Sequence, residues 1–247
     1  MRYFFEIAYN GTTFHGWQRQ KNAKSVQQEV EEALSKVLQS EVSITGSGRT
    51  DTGVHCLQQF FHLESDEALT EKLSFTLNKM LGPDIAINNM FQVIEEGHAR
   101  FSALSRKYEY RITTKKDPFQ KDFKYFLNRP LNIQTMNDAA ALLIGKQDFE
   151  SFSKVKTEVN NFFCDITEAE WKVNGTDLVF HIRANRFLRG MVRAIVGTLL
   201  DVGFGKIAPE EVKNIIIAKN RKQAGSAAPA HGLFLTEVTY PPEIVKK

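Results

Sequence analysis

The first residues of the chain alternate between apolar and polar positions. The apolar side chains of residues 2–9 fall on one side of an extended chain, with the two-residue period of a half-buried β-strand. These side chains are Tyr3, Phe5, Ile7 and Tyr9. Asn10-Gly11 follows and favours a turn. The pattern therefore predicts that a strand opens the fold.

A helical period replaces this alternation after residue 25. Ser25 to Gln28 has the pattern of a capping box, in which a serine side chain satisfies the free N–H groups of a helix N-terminus. The apolar residues that follow share one helical face. They are Val26, Val30, Ala33, Leu34, Val37 and Leu38. The pattern predicts a helix over residues 25–38.

The rest of the chain mixes the two periods in both halves. Strands are predicted at 41–45, 57–63, 85–93, 107–114 and 234–240, a hairpin at 169–184 with its turn at Asn174-Gly175, and helices at 66–80, 135–144, 187–200 and 209–218. The stretch 53–57 before one strand is echoed by 230–233 before another. We therefore expect an α+β fold of two related halves, 1–104 and 105–247, that share a broad, mostly antiparallel sheet flanked by helices.

Composition places the chain among ordinary globular proteins, with 42% hydrophobic and 25% charged residues in 247. Cys56 and Cys164 are too few for a disulfide framework and are not spaced as a metal motif. The longest apolar run is far below the roughly 20 residues of a membrane helix, and Glu6 stands where a signal peptide would stay apolar. We expect a cytoplasmic protein without a membrane segment.

The net charge of +3 hides two basic segments. Residues 100–129 carry nine Lys/Arg and three acids, a local charge of +6. Four arginines, at 183, 186, 189 and 193, add +4, so the remaining chain sums to −7. Concentrated positive charge of this kind suits a polyanion such as an RNA backbone. The alternative is two solvated surfaces that never act together.

A glycine-rich loop at residues 46–53 is the densest candidate for chemistry. Its glycines allow close approach of a ligand, and the spacing of Arg49 and Asp51 places both side chains on one side of an extended chain. A guanidinium next to a carboxylate favours the ionised form, which can act as nucleophile or base. The alternative is that Asp51 only caps a turn. The loop lacks the Lys-Ser/Thr of a phosphate-binding P-loop, and His55, Cys56 and His62 lack zinc spacing.

Two further groups of residues are candidates. Tyr108 and Tyr110 alternate with basic residues on a predicted strand, and aromatic rings between cations bind unstacked bases; core positions in a sheet are the alternative. Arg189 and Arg193 lie four residues apart on the helix predicted from residue 187, on the same face, where both are expected to face solvent unless Arg193 reaches a buried acid.

At this point the motifs resemble a known family. Gly48-Arg49-Thr50-Asp51-Thr52-Gly53-Val54-His55 resembles the active-site signature of the tRNA pseudouridine synthase A family. Five other segments match the family in order. They are YNG through FHGWQRQ at 9–20, HARFSA at 98–103, RKYEY at 106–110, NRFLRGMVR at 185–193 and APAHGL at 228–233. Asn10 stands where the family often has Asp, and Cys56 where Ala is common.

The resemblance implies a pseudouridine synthase fold and a role for each matching residue. Asp51 resembles the nucleophilic aspartate, and Arg49 its neighbour that holds the flipped nucleotide or the RNA backbone. Tyr108 resembles the ring that stacks on the target uracil, Arg193 the partner of the aspartate, and Leu233 an apolar contact that closes the pocket. Arg106, Lys107 and Arg189 are expected to bind the RNA.

The implied reaction is the isomerisation of uridine to pseudouridine at positions 38, 39 and 40 in the anticodon stem-loop of tRNA. It needs no cofactor and no metal, and the family resemblance implies a homodimer with the RNA lying across both subunits. Two alternatives remain open. A non-catalytic RNA-binding or RNA-folding protein would not need Arg49 and Asp51, and an aspartate-dependent hydrolase of RNA or nucleosides would need a second carboxylate or a metal.

Overall fold

The computed structural model describes residues 1–155 and 159–246, which contain ten β-strands and five α-helices. The strands are β1 (Arg2–Tyr9), β2 (Thr45–Gly46), β3 (His55–Glu64), β4 (Ile85–Val93), β5 (Ser105–Thr113), β6 (Tyr125–Phe126), β7 (Gly145–Asp148), β8 (Phe163–Asn174), β9 (Asp177–Ala184) and β10 (Leu233–Thr239). The helices are α1 (Val26–Leu38), α2 (Lys72–Met80), α3 (Ile133–Ala141), α4 (Met191–Gly203) and α5 (Glu211–Ala218). The α+β class predicted from the sequence is confirmed.

The chain divides into two compact units. The first comprises Met1–Ser105 together with the C-terminal stretch that begins at Phe234, and the second comprises Arg106–Leu233. Strand β10 therefore runs in the first unit although it follows the second along the chain.

In the first unit the strand order is β4-β1-β3-β10. Strand β1 is antiparallel to both neighbours, β10 is parallel to β3, and the short β2 is antiparallel to β3. The alternating pattern predicts that β1 is buried on one face, but the strand is buried on both faces. Phe5 stacks on Phe61 at 4.9 Å between ring centroids, and on the other face Phe4 packs edge-on against Tyr240 at 5.2 Å. A central strand with both faces covered buries both sets of side chains.

Helix α1 forms where the sequence predicts it. The Ser25 side chain accepts a hydrogen bond from the Gln28 backbone N–H at 3.4 Å, which caps the helix. Helix α2 is shorter than predicted and begins at Lys72 instead of residue 66. The preceding stretch is held outside the helix because the Leu69 N–H donates to the Tyr3 hydroxyl at 3.2 Å.

Other elements also begin or end at residues different from those predicted. The strand predicted at 41–45 contracts to Thr45–Gly46. The helix predicted at 135–144 lies at Ile133–Ala141, because Asn132 caps it by accepting from the Thr135 N–H at 3.2 Å. Gly145 has φ 98°, which favours glycine, and it starts β7.

In the second unit the strand order is β5-β9-β8-β7, all antiparallel, with β6 parallel to β5. The predicted hairpin is present as β8 and β9, but Asn174 pairs with Asp177, so the turn is Gly175-Thr176 and not Asn174-Gly175. Gly175 has φ 60°, the left-handed conformation that such turns require. Helix α3 packs against α4 and β8.

Helix α4 begins four residues later than predicted, at Met191 and not at residue 187. Gly190 precedes it in the left-handed conformation, with φ 72° and ψ 2°, which interrupts a helix at that point. Arg189 therefore lies in the loop before α4, whereas Arg193 lies in its first turn. The expectation that these two arginines share one helical face is wrong.

Candidate active site

The loop that carries Asp51 connects β2 to β3 in the first unit. Asp51 opens a β-turn, in which the Val54 N–H donates to the Asp51 carbonyl at 3.1 Å. Gly53 occupies the third position of this turn with φ 77°, where a positive φ favours glycine. The Gly53 N–H donates in turn to the Phe14 carbonyl at 3.2 Å. The backbone on both sides of Asp51 is thus fixed by hydrogen bonds.

A second segment, residues 10–17, lies directly against this loop. A Cβ added to Gly16, whose φ is 86°, would lie 2.2 Å from the Thr50 carbonyl oxygen. One added to Gly11 would lie 2.0 Å from the Val54 carbonyl oxygen. Only residues without a side chain permit this approach. The segment belongs to the motifs that resemble the family, but the sequence alone assigns it no role. Its two glycines, Gly11 and Gly16, are the only sequence sign of this close approach.

A buried polar group supports the loop from β3. Gln59 is fully buried, and its side-chain nitrogen donates to the Gly48 carbonyl at 3.2 Å. The Tyr9 hydroxyl donates to the Gln59 side-chain oxygen at 3.3 Å and lies 2.8 Å from the Thr50 hydroxyl. Buried polar groups that are hydrogen-bonded stiffen their surroundings. Tyr9 and Gln59 support the loop through hydrogen bonds that exist only in the folded chain, so sequence reasoning missed them.

The two candidate side chains of the loop have different surroundings. Asp51 is half-buried, whereas Arg49 is exposed. His55, at the start of β3, is buried; its Nδ1 accepts from the Gly11 N–H at 3.1 Å, and its ring stacks on Phe234 at 4.6 Å. These contacts hold the His55 ring inside the core of the first unit.

In the second unit, Tyr108 lies on β5 with its ring half-buried. Phe187 meets it edge-on, with the ring centroids 5.1 Å apart and the planes at 86°. Tyr110, two residues on, is fully buried, and its hydroxyl donates to the Pro229 carbonyl at 2.9 Å. Burial raises the pKa of the Tyr110 hydroxyl above its ordinary range. Tyr110 is therefore a core residue, and of the two tyrosines Tyr108 is the candidate base platform.

Lys107 lies on the face of β5 opposite to Tyr108, because side chains alternate along a strand. Its ammonium donates to Glu168 at 2.8 Å, and Arg183 lies 3.7 Å from the same carboxylate. Burial opposes ionisation of Glu168, but the hydrogen bond and charge of Lys107 outweigh it and hold the Glu168 pKa below its usual range. Arg106 donates to the Asn185 carbonyl at 2.8 Å.

Arg193 is held by the segment 224–229, which lies along α4. Arg193 Nε donates to the Ala228 carbonyl at 2.7 Å, and the Ala228 N–H donates back to the Arg193 carbonyl at 2.9 Å. The Gly225 N–H donates to the Thr198 hydroxyl at 2.8 Å. A Cβ on Gly197 would lie 1.7 Å from the Ser226 carbonyl oxygen. Glycine at that position therefore lets the segment lie close enough to position Arg193.

Tyr110 packs against the end of this segment and the residues that follow it. Tyr110 contacts it through Pro229, and a Cβ on Gly232 would lie 2.9 Å from the Tyr110 ring. Leu233, next in the chain, is 5% exposed. Arg189 is exposed in the loop before α4. The β5 strand, the start of α4 and residues 228–233 thus form one packed framework inside this unit.

Within residues 1–155 and 159–246, no group of three or more His, Cys, Asp or Glu side chains is placed to hold a metal ion. In the same part of the chain no helix combines the length and apolar character needed to cross a membrane.

Comparison with known proteins gives consistent matches. The residue pattern of a family described as "tRNA pseudouridine synthase" matches residues 7–102 and 139–241. A tRNA pseudouridine synthase A of Parabacteroides distasonis is 47% identical over 245 residues, which cover 98% of this chain and 97% of that protein. The proteins of that name from Bacteroides thetaiotaomicron and Bacillus subtilis are 46% and 41% identical, and the alignments cover 98% and 97% of this chain and 92% and 99% of those proteins. Asp51 lies in the first matched stretch and Arg193 in the second.

Proposed function

We infer the function from the family to which this chain belongs, the tRNA pseudouridine synthases. The protein is an isomerase that converts uridine to pseudouridine in tRNA. In this reaction the bond between N1 of uracil and C1′ of the ribose breaks, the base turns, and C5 of the same base bonds to C1′. The proton on C5 leaves and N1 gains a proton, so the substrate and the product are isomers.

We propose that the target uridines are those at positions 38, 39 and 40 of the anticodon stem-loop. Bases in a stem are stacked and paired, and an enzyme that acts on one must turn it out of the helix at a cost of a few kcal/mol. Stacking of the extruded base on an aromatic ring, about 1–3 kcal/mol, and contacts to the backbone offset that cost.

We assign the nucleophile to Asp51, and the fixed geometry of its loop is the observation that carries this assignment. The turn at Asp51 is closed by Val54, and the preceding residue, Thr50, lies 2.8 Å from the Tyr9 hydroxyl. A carboxylate that is already positioned lowers the entropy cost of reaching the reactive geometry. Attack at C1′, addition to the base and removal of a sugar proton all need such a carboxylate beside an extruded base.

Arg193 is proposed to pair with the carboxylate of Asp51. Arg193 Nε donates a hydrogen bond to the Ala228 carbonyl oxygen at 2.7 Å, which restricts the direction of the guanidinium. A charged donor of fixed direction binds a carboxylate more strongly than a neutral or mobile one. The exposed Arg49 is proposed to hold the RNA backbone beside the flipped nucleotide.

Tyr108 is proposed to stack on the target uracil. Its edge-on contact with Phe187 fixes the plane of its ring and leaves it half-buried, as a base platform requires. Leu233 is proposed as the apolar contact that closes the pocket, since it is almost fully buried next to the segment that holds Arg193.

The RNA backbone is proposed to contact basic side chains near these residues. Arg189 is exposed in the loop before α4, and Arg106 lies two residues before Tyr108 on β5. Lys107 is also proposed to bind the RNA; it lies on the face of β5 opposite to Tyr108, where its ammonium pairs with Glu168. Binding of this kind depends on salt, because each neutralised phosphate releases counterions.

One experiment separates this function from its alternatives. The protein is incubated with unmodified tRNA in EDTA, and pseudouridine is mapped along the RNA, with tRNA alone as the control. Pseudouridine at positions 38–40 supports the proposal. Chain cleavage or release of free uracil without pseudouridine would indicate a hydrolase, and binding without any product would indicate a non-catalytic RNA-binding protein.

We also propose that the protein is a homodimer in the cytoplasm and that one tRNA contacts both subunits. An elongated RNA is bound more tightly by two copies of a basic surface than by one. Light scattering of the free protein tests this. A monomer at micromolar concentration that still modifies tRNA at the full rate would contradict the dimer.

A further inference from the structure

The loop between β5 and β6, residues 114–124, presents an aromatic ring to solvent. Phe119 is 87% exposed, more than any other large apolar side chain in the described part of the chain. Apolar surface in water is unfavourable, and an ordered aromatic ring left exposed marks a surface that a partner covers.

This exposure does not result from a disordered loop. The Asp117 side chain accepts from the Phe119 N–H at 2.9 Å, and the Gln120 N–H donates to the Asp117 carbonyl at 3.2 Å. The Lys124 N–H donates to the Gln120 carbonyl at 2.9 Å, and its ammonium pairs with Asp177 on β9 at 2.5 Å. Hydrogen bonds on both sides of Phe119 therefore fix the backbone that presents its ring to solvent.

The loop carries four lysines, of which Lys124 pairs with Asp177 and the other three are exposed: Lys115, Lys116 and Lys121. We propose that this loop is a second RNA contact, in which Phe119 stacks on an unpaired base of the tRNA and the lysines bind neighbouring phosphates. The inference rests on the proposed tRNA substrate. Aromatic rings among cations are the usual platform for unstacked bases, whereas lysine is depleted at protein–protein interfaces.

The position of the loop distinguishes this contact from the reacting base. The chain leaves β5 at Thr114, six residues beyond Tyr108, which corresponds to about 20 Å along a strand. The proposal assigns to Phe119 a nucleotide other than the uridine held by Tyr108. The contact would add affinity for folded tRNA without taking part in the isomerisation.

Binding measurements on Phe119 variants test the proposal. Phe119→Ala should weaken binding of unmodified tRNA about tenfold in filter binding, because it removes one stacked base, whereas Phe119→Tyr should stay within about twofold of the wild type. Phe75→Ala is the matched control, since Phe75 is 64% exposed on α2 with Lys79 over its ring at 4.3 Å. It should leave both tRNA affinity and pseudouridine formation unchanged.

A fluorescent variant reports the contact directly. Trp17 and Trp171 are each 2% exposed, and the change in emission of Phe119→Trp beyond that of the wild-type protein is assigned to the new ring. Adding unmodified tRNA should quench that emission, with a midpoint that matches the affinity from filter binding. Quenching in a protein that forms no pseudouridine would leave the RNA contact standing and would overturn only the proposed function.

Three results would overturn the RNA contact. The first is tRNA affinity of Phe119→Ala within twofold of the wild type. The second is an unchanged emission of Phe119→Trp on addition of tRNA. The third is a shift of Phe119→Ala from dimer to monomer in light scattering with its tRNA affinity per subunit retained, which would make the loop an interface between copies of this chain.

Discussion

Gly197 is where helix α4 touches the segment that holds Arg193, and replacing it by alanine tests how that arginine is positioned. A Cβ at this position would lie 1.7 Å from the Ser226 carbonyl oxygen, whereas real Cβ atoms stay at 3.0 Å or more. The obstacle is backbone, so the segment must move by at least the difference, 1.3 Å. Ala228, two residues along, accepts the 2.7 Å hydrogen bond from Arg193. We therefore expect Gly197→Ala to displace the anchor of Arg193.

Two effects of opposite sign set the stability of this variant. Alanine is favoured over glycine inside a helix by about 1 kcal/mol. Overpacking against a fixed backbone costs about 1–3 kcal/mol. The free energy of unfolding should therefore fall by roughly 1 kcal/mol. Activity should fall by about 100-fold, because a misplacement of about 1 Å at a reacting group has an effect of that size.

The assay compares the thermal midpoint with the single-turnover rate of pseudouridine formation at a temperature where both proteins are folded. Gly203→Ala is the control on the same helix. Its Cβ would meet the sulfur of Met136 at 2.5 Å, and the flexible end of a methionine moves at low cost. Gly203→Ala should therefore keep most of the activity. A Gly197→Ala protein that keeps at least half of the wild-type rate would refute the role given to this contact.

Three further outcomes are expected. Tyr108→Phe should keep tRNA affinity but lose any step that uses the hydroxyl, whereas Tyr108→Ala should also lose capture of the base; equal tRNA affinities for the two variants would contradict stacking. Replacing Arg186 and Arg189 together by glutamine should weaken tRNA binding and flatten its dependence on salt, and an unchanged slope would exclude this surface. Burial, with the charge of His98, lowers the pKa of His62 to about 4, so the unfolded chain binds the proton more readily. The free energy of unfolding should fall as the pH drops from about 6.5 to about 4, and His62→Gln should flatten that fall in urea titrations.

Local signals predicted the elements that depend on neighbouring residues. The helix at Ser25 was found because its cap and its apolar face lie within fourteen residues of sequence. Strand β4 was predicted with both of its ends correct, at Ile85 and Val93. These elements need no information from distant parts of the chain.

Elements that depend on distant contacts were predicted less well. Strand β1 has an alternating pattern, yet Phe4 is fully buried, because strands on both sides and Tyr240 cover it. The start of α4 was placed too early because the apolar pattern continues through Gly190, whose left-handed conformation the period does not show. The burial of β1 depends on its neighbouring strands, and the start of α4 depends on the backbone conformation of Gly190.

The candidate site divides in the same way. The loop of Asp51 is a candidate because of its own glycines, whereas the alternation with basic residues indicates Tyr108 and Tyr110 alike and only the family resemblance selects Tyr108. The groups that support the loop were not found, because Gln59 and Tyr9 are paired with it only in the folded chain. The anchor of Arg193 at Ala228 was missed for the same reason, since 35 residues separate the two.

The most direct test of the account is the rate of pseudouridine formation by Asp51→Asn. This change keeps the size of the side chain and removes its charge and its nucleophilic oxygen, while tRNA affinity, measured in parallel, should stay within a few-fold of the wild type or rise slightly. The account predicts that single-turnover formation of pseudouridine in unmodified tRNA disappears. A rate above about one hundredth of the wild type, which is more than loss of the reacting group should leave, would remove Asp51 from the mechanism.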